Sequence, residues 1–275
     1  MVEIFGPGHT DRREGRRLSV RRVLARLSRA AGDGRAGGGE GARRIAALFD
    51  PPPPPAAGRP RVTLSYAQSL DGCIAAEPGR PLALSGRPSL ALTHGLRARH
   101  DAILVGIGTV LADDPRLNVR LAEGPDPRPV VLDTGLRFPE GARMLANAGP
   151  RPWIVAGAGA DPGRARRLEA LGARVVRVRR GPGGVDLPAA LARLAELGVR
   201  RLMVEGGARV ITAFLCGRLV DRVVVTVAPV LVGGLKAVDR FCPPDPACLP
   251  RLRNVRYERV GEDMVVCGDL ECEAA

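Results

Sequence analysis

Asp101-Ala-Ile-Leu-Val-Gly-Ile-Gly-Thr-Val-Leu-Ala-Asp-Asp-Pro115 is the stretch that decides the fold. Asp101 to Val105 is a short apolar run with β-branched residues, the pattern of a strand buried on both faces. The glycines that follow at once form a tight turn. Thr109 then stands near the start of a short helix that Asp113-Asp114-Pro115 ends. Gly106 and Gly108 therefore lie at the carboxyl end of a strand, where open α/β sheets bind ligands. The segment starts as Gly-x-Gly, but Leu111 holds the position of the third glycine, so the dinucleotide fingerprint of a Rossmann domain is not met. On this segment alone, an ordinary strand-to-helix turn stands beside the ligand-binding reading.

The same strand and helix alternation spreads outward from it. Residues 61–67, 129–132, 153–155, 174–178 and 201–204 read as further buried strands, with helices expected over 88–99, 161–172, 187–197 and 207–217. Alternation of this kind implies an α/β domain with a largely parallel sheet. After residue 217 the strands expected at 221–227, 254–260 and 264–270 have no helices between them, which gives the sheet an antiparallel end. The domain is expected over 61–275, preceded by an Arg/Gly/Pro-rich leader and linker over 1–60. In that leader, residues 16–31 can form one amphipathic helix, and five prolines at 51–55 favour an extended linker.

Composition narrows the class. The net charge is +13, yet only Lys236 among the 42 basic residues is a lysine, and the arginines are scattered along the chain. This is a compositional bias rather than a phosphate-binding stripe. Aromatic residues are 3% of the chain, too few for the stacking platforms of single-strand binders, so specific nucleic-acid binding is not expected. Six cysteines in 275 residues are too sparse for a disulfide scaffold, and their spacing with three histidines does not make a zinc site, so no metal is expected. No apolar run of membrane-spanning length and no signal core occur, so a cytoplasmic protein is expected, unless the Arg-rich leader is a transit peptide.

Val204-Glu-Gly-Gly-Ala-Arg209 repeats the strand, turn and helix arrangement. Glycine lets a phosphate approach the backbone N–H groups of a helix start, so Gly206, Gly207, Ala208 and Arg209 suit a pyrophosphate. Glu205 fits that picture only by facing another part of a ligand; a solvated glutamate beside a Gly-Gly turn is the alternative. In the helix from Pro88, Leu90, Thr93 or His94, and Arg97 share a face, so Arg97 leans toward the core and needs a partner. Arg120 can join it around an anion, since two guanidinium groups suit a phosphate monoester. His94 and His100 read as packed or surface histidines. Asp71 in Ser69-Leu-Asp-Gly72 is a weak catalytic candidate and an equally good turn former.

Taken together, Thr63-Leu-Ser-Tyr-Ala-Gln-Ser-Leu-Asp-Gly72, Thr93-His-x-x-Arg97, His100 to Asn118 and Val204-Glu-Gly-Gly207 resemble the pyrimidine reductases of riboflavin biosynthesis, over about residues 60–270. That family comprises the C-terminal half of the bacterial deaminase–reductase RibD and the stand-alone reductases of fungi and archaea. The resemblance implies a dihydrofolate-reductase-like α/β fold and a homodimer. It also implies NADPH-dependent reduction of a ribosylamino-pyrimidinone 5′-phosphate, with hydride delivered to C1′ of the sugar. Carried over by position, the cofactor contacts are Ala67, Thr109, Asp113, Thr134 and the helix start from Gly207 to Ala213; Gly106 and Gly206 join them from the reading of the two glycine turns. The substrate contacts are Arg97, Leu117, Arg120 and Glu205; for catalysis only Asp71 and Glu205 are candidates.

Three departures qualify the match. Ser65 stands where the bifunctional bacterial enzymes have a lysine, as in the stand-alone fungal type. Pro81 and Ala83 replace polar or aromatic residues of the pyrimidine pocket. The zinc deaminase signature is missing, so deamination is not expected. Two other readings stay open: a paralogous reductase of another phosphorylated or pterin-like molecule, and a basic binding module whose site has decayed.

Overall fold

The computed structural model describes residues 46–48, 58–239 and 249–271. The helix expected over 16–31 and the polyproline linker lie outside the described residues. A nine-stranded sheet runs in the order β12-β13-β10-β1-β9-β3-β4-β5-β6. Its strands are β1 (Arg61–Ser69), β3 (Ala102–Gly106), β4 (Arg128–Leu132), β5 (Trp153–Gly157), β6 (Arg174–Val178), β9 (Arg201–Val204), β10 (Arg222–Ala228), β12 (Leu252–Val260) and β13 (Asp263–Leu270). From β10 to β6 all neighbours are parallel, and β13 and β12 close the sheet antiparallel, as the sequence pattern implies.

Both faces are covered, which explains the continuous apolar runs. Leu104 on β3 points to the layer of α4 (Leu187–Glu196) and α5 (Ala208–Cys216), where Leu191, Leu194, Ile211 and Phe214 are buried. Ile103 and Val105, one residue to either side, point to the opposite layer of α2 (Ile107–Asp113) and α3 (Pro162–Ala170). Further along that layer, α1 (Arg87–Arg97) buries Leu92 and Leu96 against Met203, Val224 and Val265.

The helix starts follow local chemistry. Asp161 and Asp186 cap α3 and α4 by accepting from Gly163 N at 2.7 Å and Ala189 N at 2.8 Å, each with proline in the first turn. Short pairs that the sequence reading does not reach are β2 (Cys73–Ala75) with β11 (Leu235–Lys236), and the hairpin β7 (Arg180–Gly181) with β8 (Gly184–Val185). Strands of two or three residues are too short to carry a period of two.

The leader is not wholly separate. Leu48 is 1% exposed and packs in the cluster under α1, and Ala47 O accepts from Arg256 Nη1 at 2.6 Å. Among the described residues, no helix is long and apolar enough to cross a membrane.

Candidate active site

The carboxyl ends of β1, β9, β3 and β4 open into a cleft of about 1170 Å³. Gly106 and Gly206 make close packing possible at its floor. A Cβ on Gly206 would come within 2.4 Å of Val210 Cβ, and one on Gly106 within 2.8 Å of Val210 Cγ2. The starts of α2 and α5 thereby meet side by side. Gly207 differs: its φ of −72° is open to any residue, and a Cβ there would meet only Thr109 Oγ1 at 3.6 Å. Space remains above the α5 N–H groups, so Gly207 leaves room for a ligand without backbone strain.

Ala67, Gly106, Thr109, Asp113, Thr134, Gly206, Gly207, Ala208 and Arg209 all line this one cleft. Asp113 adds a chemical signal: burial pushes its pKa up, and Oδ1 is a buried oxygen with no hydrogen-bond partner. Such an oxygen calls for a donor. Tyr66, Arg137 and Arg180 also line the cleft, and Pro81 does so while Ala83 does not. Tyr66 lay inside a motif that the sequence reading recognised. The Gly-Pro-Gly-Gly run after Arg180 was a turn signal, but nothing local tied it to the sheet edge.

The substrate-side candidates sit differently. Arg97 donates from Nε to Glu205 Oε1 at 2.9 Å and from Nη2 to Oε2 at 2.7 Å, and Nη1 reaches Asn118 O at 3.2 Å. Both side chains are about 5% exposed or less. The guanidinium holds the Glu205 carboxyl below its ordinary range against the upward push of burial. The expected pairing of Arg97 with Arg120 around an anion is corrected here, because β9 brings a carboxylate into the position expected for the anion. Arg120 itself is half-buried and bonds Asn118 Oδ1, so both arginines reach the same loop. Leu117 is 2% exposed, its side chain in the core beneath α2 and its φ at +53°.

His94 is fully buried and accepts the Arg120 backbone N–H at Nδ1, 3.0 Å away. Burial, then the Arg97 charge, pushes its pKa down to about 3, so it is neutral. His100 bonds Leu96 O at 2.8 Å and Thr63 Oγ1 at 3.0 Å, which makes Nδ1 the protonated nitrogen and Nε2 the acceptor. Both are packed histidines.

Asp71 is a turn clamp. It accepts from Ser69 Oγ at 2.5 Å, Val232 N at 3.0 Å, Gly233 N at 2.7 Å and Cys73 Sγ at 3.2 Å, with Lys236 Nζ at 3.7 Å. These donors, led by the Ser69 hydroxyl, hold the carboxyl well below the usual range. It does not line the cleft, and a carboxylate so fully engaged is a poor proton source.

Residues 60–266 match the model of the RibD C-terminal domain. The chain belongs to that family. A 2,5-diamino-6-ribosylamino-4(3H)-pyrimidinone 5′-phosphate reductase of Methanothermobacter thermautotrophicus is 41% identical over 76% of this chain and 97% of its own length. The protein of the same name from Archaeoglobus fulgidus is 38% identical over 76% and 97%. Among solved structures, Acinetobacter baumannii RibD superposes with a TM-score of 0.69 at 26% identity, over 78% of this chain and 59% of that longer one. As a RibD C-terminal domain, the chain is an enzyme of the reductase type. Its cleft occupies the strand-end position that such a sheet reserves for ligands.

Proposed function

We propose that this chain is the NADPH-dependent reductase of 2,5-diamino-6-ribosylamino-4(3H)-pyrimidinone 5′-phosphate, forming the ribitylamino compound in riboflavin biosynthesis. The observation that carries the reading is the convergence of Ala67, Gly106, Thr109, Asp113, Thr134 and Gly206 to Arg209 on one cleft with an unsatisfied acceptor, Asp113 Oδ1, in its wall. A nicotinamide dinucleotide fits that wall. It offers amide and hydroxyl donors to Asp113, and its pyrophosphate suits the α5 N–H groups above Gly207. The diamino form of the substrate is favoured by the names of the two archaeal relatives and by Ser65 in place of lysine.

When bound, NADPH supplies the hydride that reduces the sugar at C1′. The chain's own work is binding and orientation. Arg120, close to the Asn118 loop, takes the substrate's 5′-phosphate; Arg97 acts at one remove, fixing Glu205 and the loop that carries Arg120. Ala67, Thr109, Thr134, Ala208 and Arg209 complete the cofactor wall. A homodimer, which rests on the family resemblance and which light scattering checks, and the cytoplasmic setting expected from the sequence complete the reading.

The test is steady-state reduction of the phosphorylated and dephosphorylated pyrimidines by the parent protein and Arg120→Ala. A charge-assisted bond to phosphate is worth roughly 1.5–3 kcal/mol, so the variant should lose about 10- to 150-fold in kcat/KM on the phosphorylated compound only. NADPH affinity should hold. Loss of NADPH affinity with unchanged substrate kinetics would assign Arg120 to the cofactor instead of the substrate.

A further inference from the structure

The cleft crosses the sheet in the order β1, β9, β3, β4, and its two arms differ in chemistry. The α5 start, after β9, lies between them. On the β1 side Tyr66, Ala67 and Ile74 give a mostly apolar wall suited to a flat ring, and the one cation there among the described residues, Arg80 in the turn after β2, is paired with Glu77 at 3.3 Å. On the β4 side the wall carries Thr134, Arg137 and, from the β7–β8 hairpin, Arg180. The hairpin is seated tightly there. A Cβ on Gly184 would come within 2.7 Å of Thr134 Oγ1, and one on Gly157 would meet both Arg180 Cγ at 3.1 Å and Thr134 Cγ2 at 3.3 Å. The stem of Arg180 is thus held against the β5 end, beside Thr134.

The charges of this arm are one-sided. Arg180 is exposed, with no side-chain partner among the described residues. Arg137 is 63% exposed, steadied by an ion pair of 3.9 Å to Asp133. Of the carboxylates on this arm, Asp133 and Asp186 present no accessible free oxygen, although Asp133 Oδ1 is buried without a hydrogen-bond partner; the free acceptor of the cleft, Asp113 Oδ1, lies on α2. Asp133 is fully buried and accepts from Phe138 N at 2.8 Å, while Asp186 caps α4 and pairs with Arg179 at 3.0 Å. A site that reads a bare ribose 2′-hydroxyl presents an available carboxylate, whereas a site that reads a 2′-phosphate presents available cations.

We infer that Arg180 and Arg137 are the residues that select NADPH over NADH, by taking the adenosine 2′-phosphate between the β7–β8 hairpin and the turn after β4. The inference rests on the cofactor reading above and adds to it the residues that discriminate. It also orients the dinucleotide, with its adenosine toward β4 and its nicotinamide toward β1, where the sugar is reduced. The hairpin then acts as the specificity element of the fold, carrying a cation to an otherwise bare rim.

Calorimetric titration of the full chain with adenosine 2′,5′-bisphosphate, 5′-AMP, NADP⁺ and NAD⁺ tests this without turnover. For Arg180→Ala, affinity for the bisphosphate and for NADP⁺ should fall about tenfold, while 5′-AMP and NAD⁺ change by less than about twofold. Arg137→Ala should act in the same direction, and Arg180→Lys should recover part of the loss by keeping the charge without the fork. Raising salt should erase much of the parent's preference, because the pair is solvent-exposed. Equal weakening of NADP⁺ and NAD⁺, or no change in either, overturns the assignment of Arg180. Failure of the parent protein to bind NADP⁺ at all would instead overturn the cofactor reading on which it rests.

Discussion

Arg97 and Glu205 face each other side-on inside the protein, Nε to Oε1 at 2.9 Å and Nη2 to Oε2 at 2.7 Å, one from the last turn of α1 and the other from the end of β9. This bidentate pair ties α1 to the centre of the sheet at the point where the cleft wall begins. A buried pair of this kind adds little relative to apolar residues of equal volume, but breaking it leaves an uncompensated charge. Its value here is positional.

Arg97→Ala should therefore behave first as a folding variant, losing about 3–5 kcal/mol in urea unfolding. Replacing both residues, Arg97→Leu with Glu205→Leu, should recover much of that loss because no charge is then stranded. Single and double variants whose losses simply add would show that the pair is not coupled.

The leader makes a second, smaller contribution. Leu48 is buried among Leu92, Leu96 and Val260, and fully burying a leucine is worth roughly 1.5–3 kcal/mol. Removing residues 1–57, or making Leu48→Asp in the full chain, should lower the melting temperature measurably. An unchanged melting temperature in both would mean that the segment is dispensable, as its composition alone suggests.

Much of this architecture was legible in the sequence, and for physical reasons. Strands such as Ala102–Gly106, covered on both faces, must be apolar throughout, and Gly206 is a glycine because Val210 leaves no space for a Cβ. The partner of Arg97 was harder to read. Helical spacing put Arg97 on the core side, but nothing local to either residue shows that Glu205, 108 residues away, is its counter-ion. The burial of Leu48 and the seat of Arg180 against the end of β5 were missed for the same reason: each depends on a distant contact, and each sits in a segment whose composition reads as linker or turn.

The two glycines of the β9–α5 turn should separate stability from binding. Gly206→Ala should destabilise the fold through its clash with Val210; Val210→Ala in the double variant should relieve little, because it keeps the Cβ that lies 2.4 Å away, whereas Val210→Gly removes the clash. Gly207→Ala should melt like the parent, since a Cβ there meets nothing closer than 3.6 Å, yet lose NADPH affinity in a fluorescence titration. Parent-like affinity in that variant would place the pyrophosphate elsewhere.

Acid should weaken the fold well above the carboxylate range. The pKa of His94 is held at about 3 in the folded protein, against an ordinary value of 6.5, so between those values the unfolded chain binds the extra proton. Stability is then fully present above pH ~6.5 and falls as the pH drops toward ~3, with a slope approaching 1.4 kcal/mol per unit for this residue. His100, also depressed by burial, adds in the same direction. His94→Asn, which keeps an acceptor for the Arg120 N–H, should flatten the profile of unfolding midpoint against pH. An unaltered profile would show that His94 is not the group responsible.

The most direct measurement of the proposed chemistry follows the hydride. NADPH deuterated at the transferring nicotinamide carbon is incubated with the purified chain and 2,5-diamino-6-ribosylamino-4(3H)-pyrimidinone 5′-phosphate, and the product is read by mass spectrometry and NMR. NADPH oxidation coupled to appearance of deuterium at C1′ of a ribitylamino product is expected. NADPH oxidation with no deuterium in the sugar chain, or no oxidation by a folded protein that binds both ligands, would contradict it.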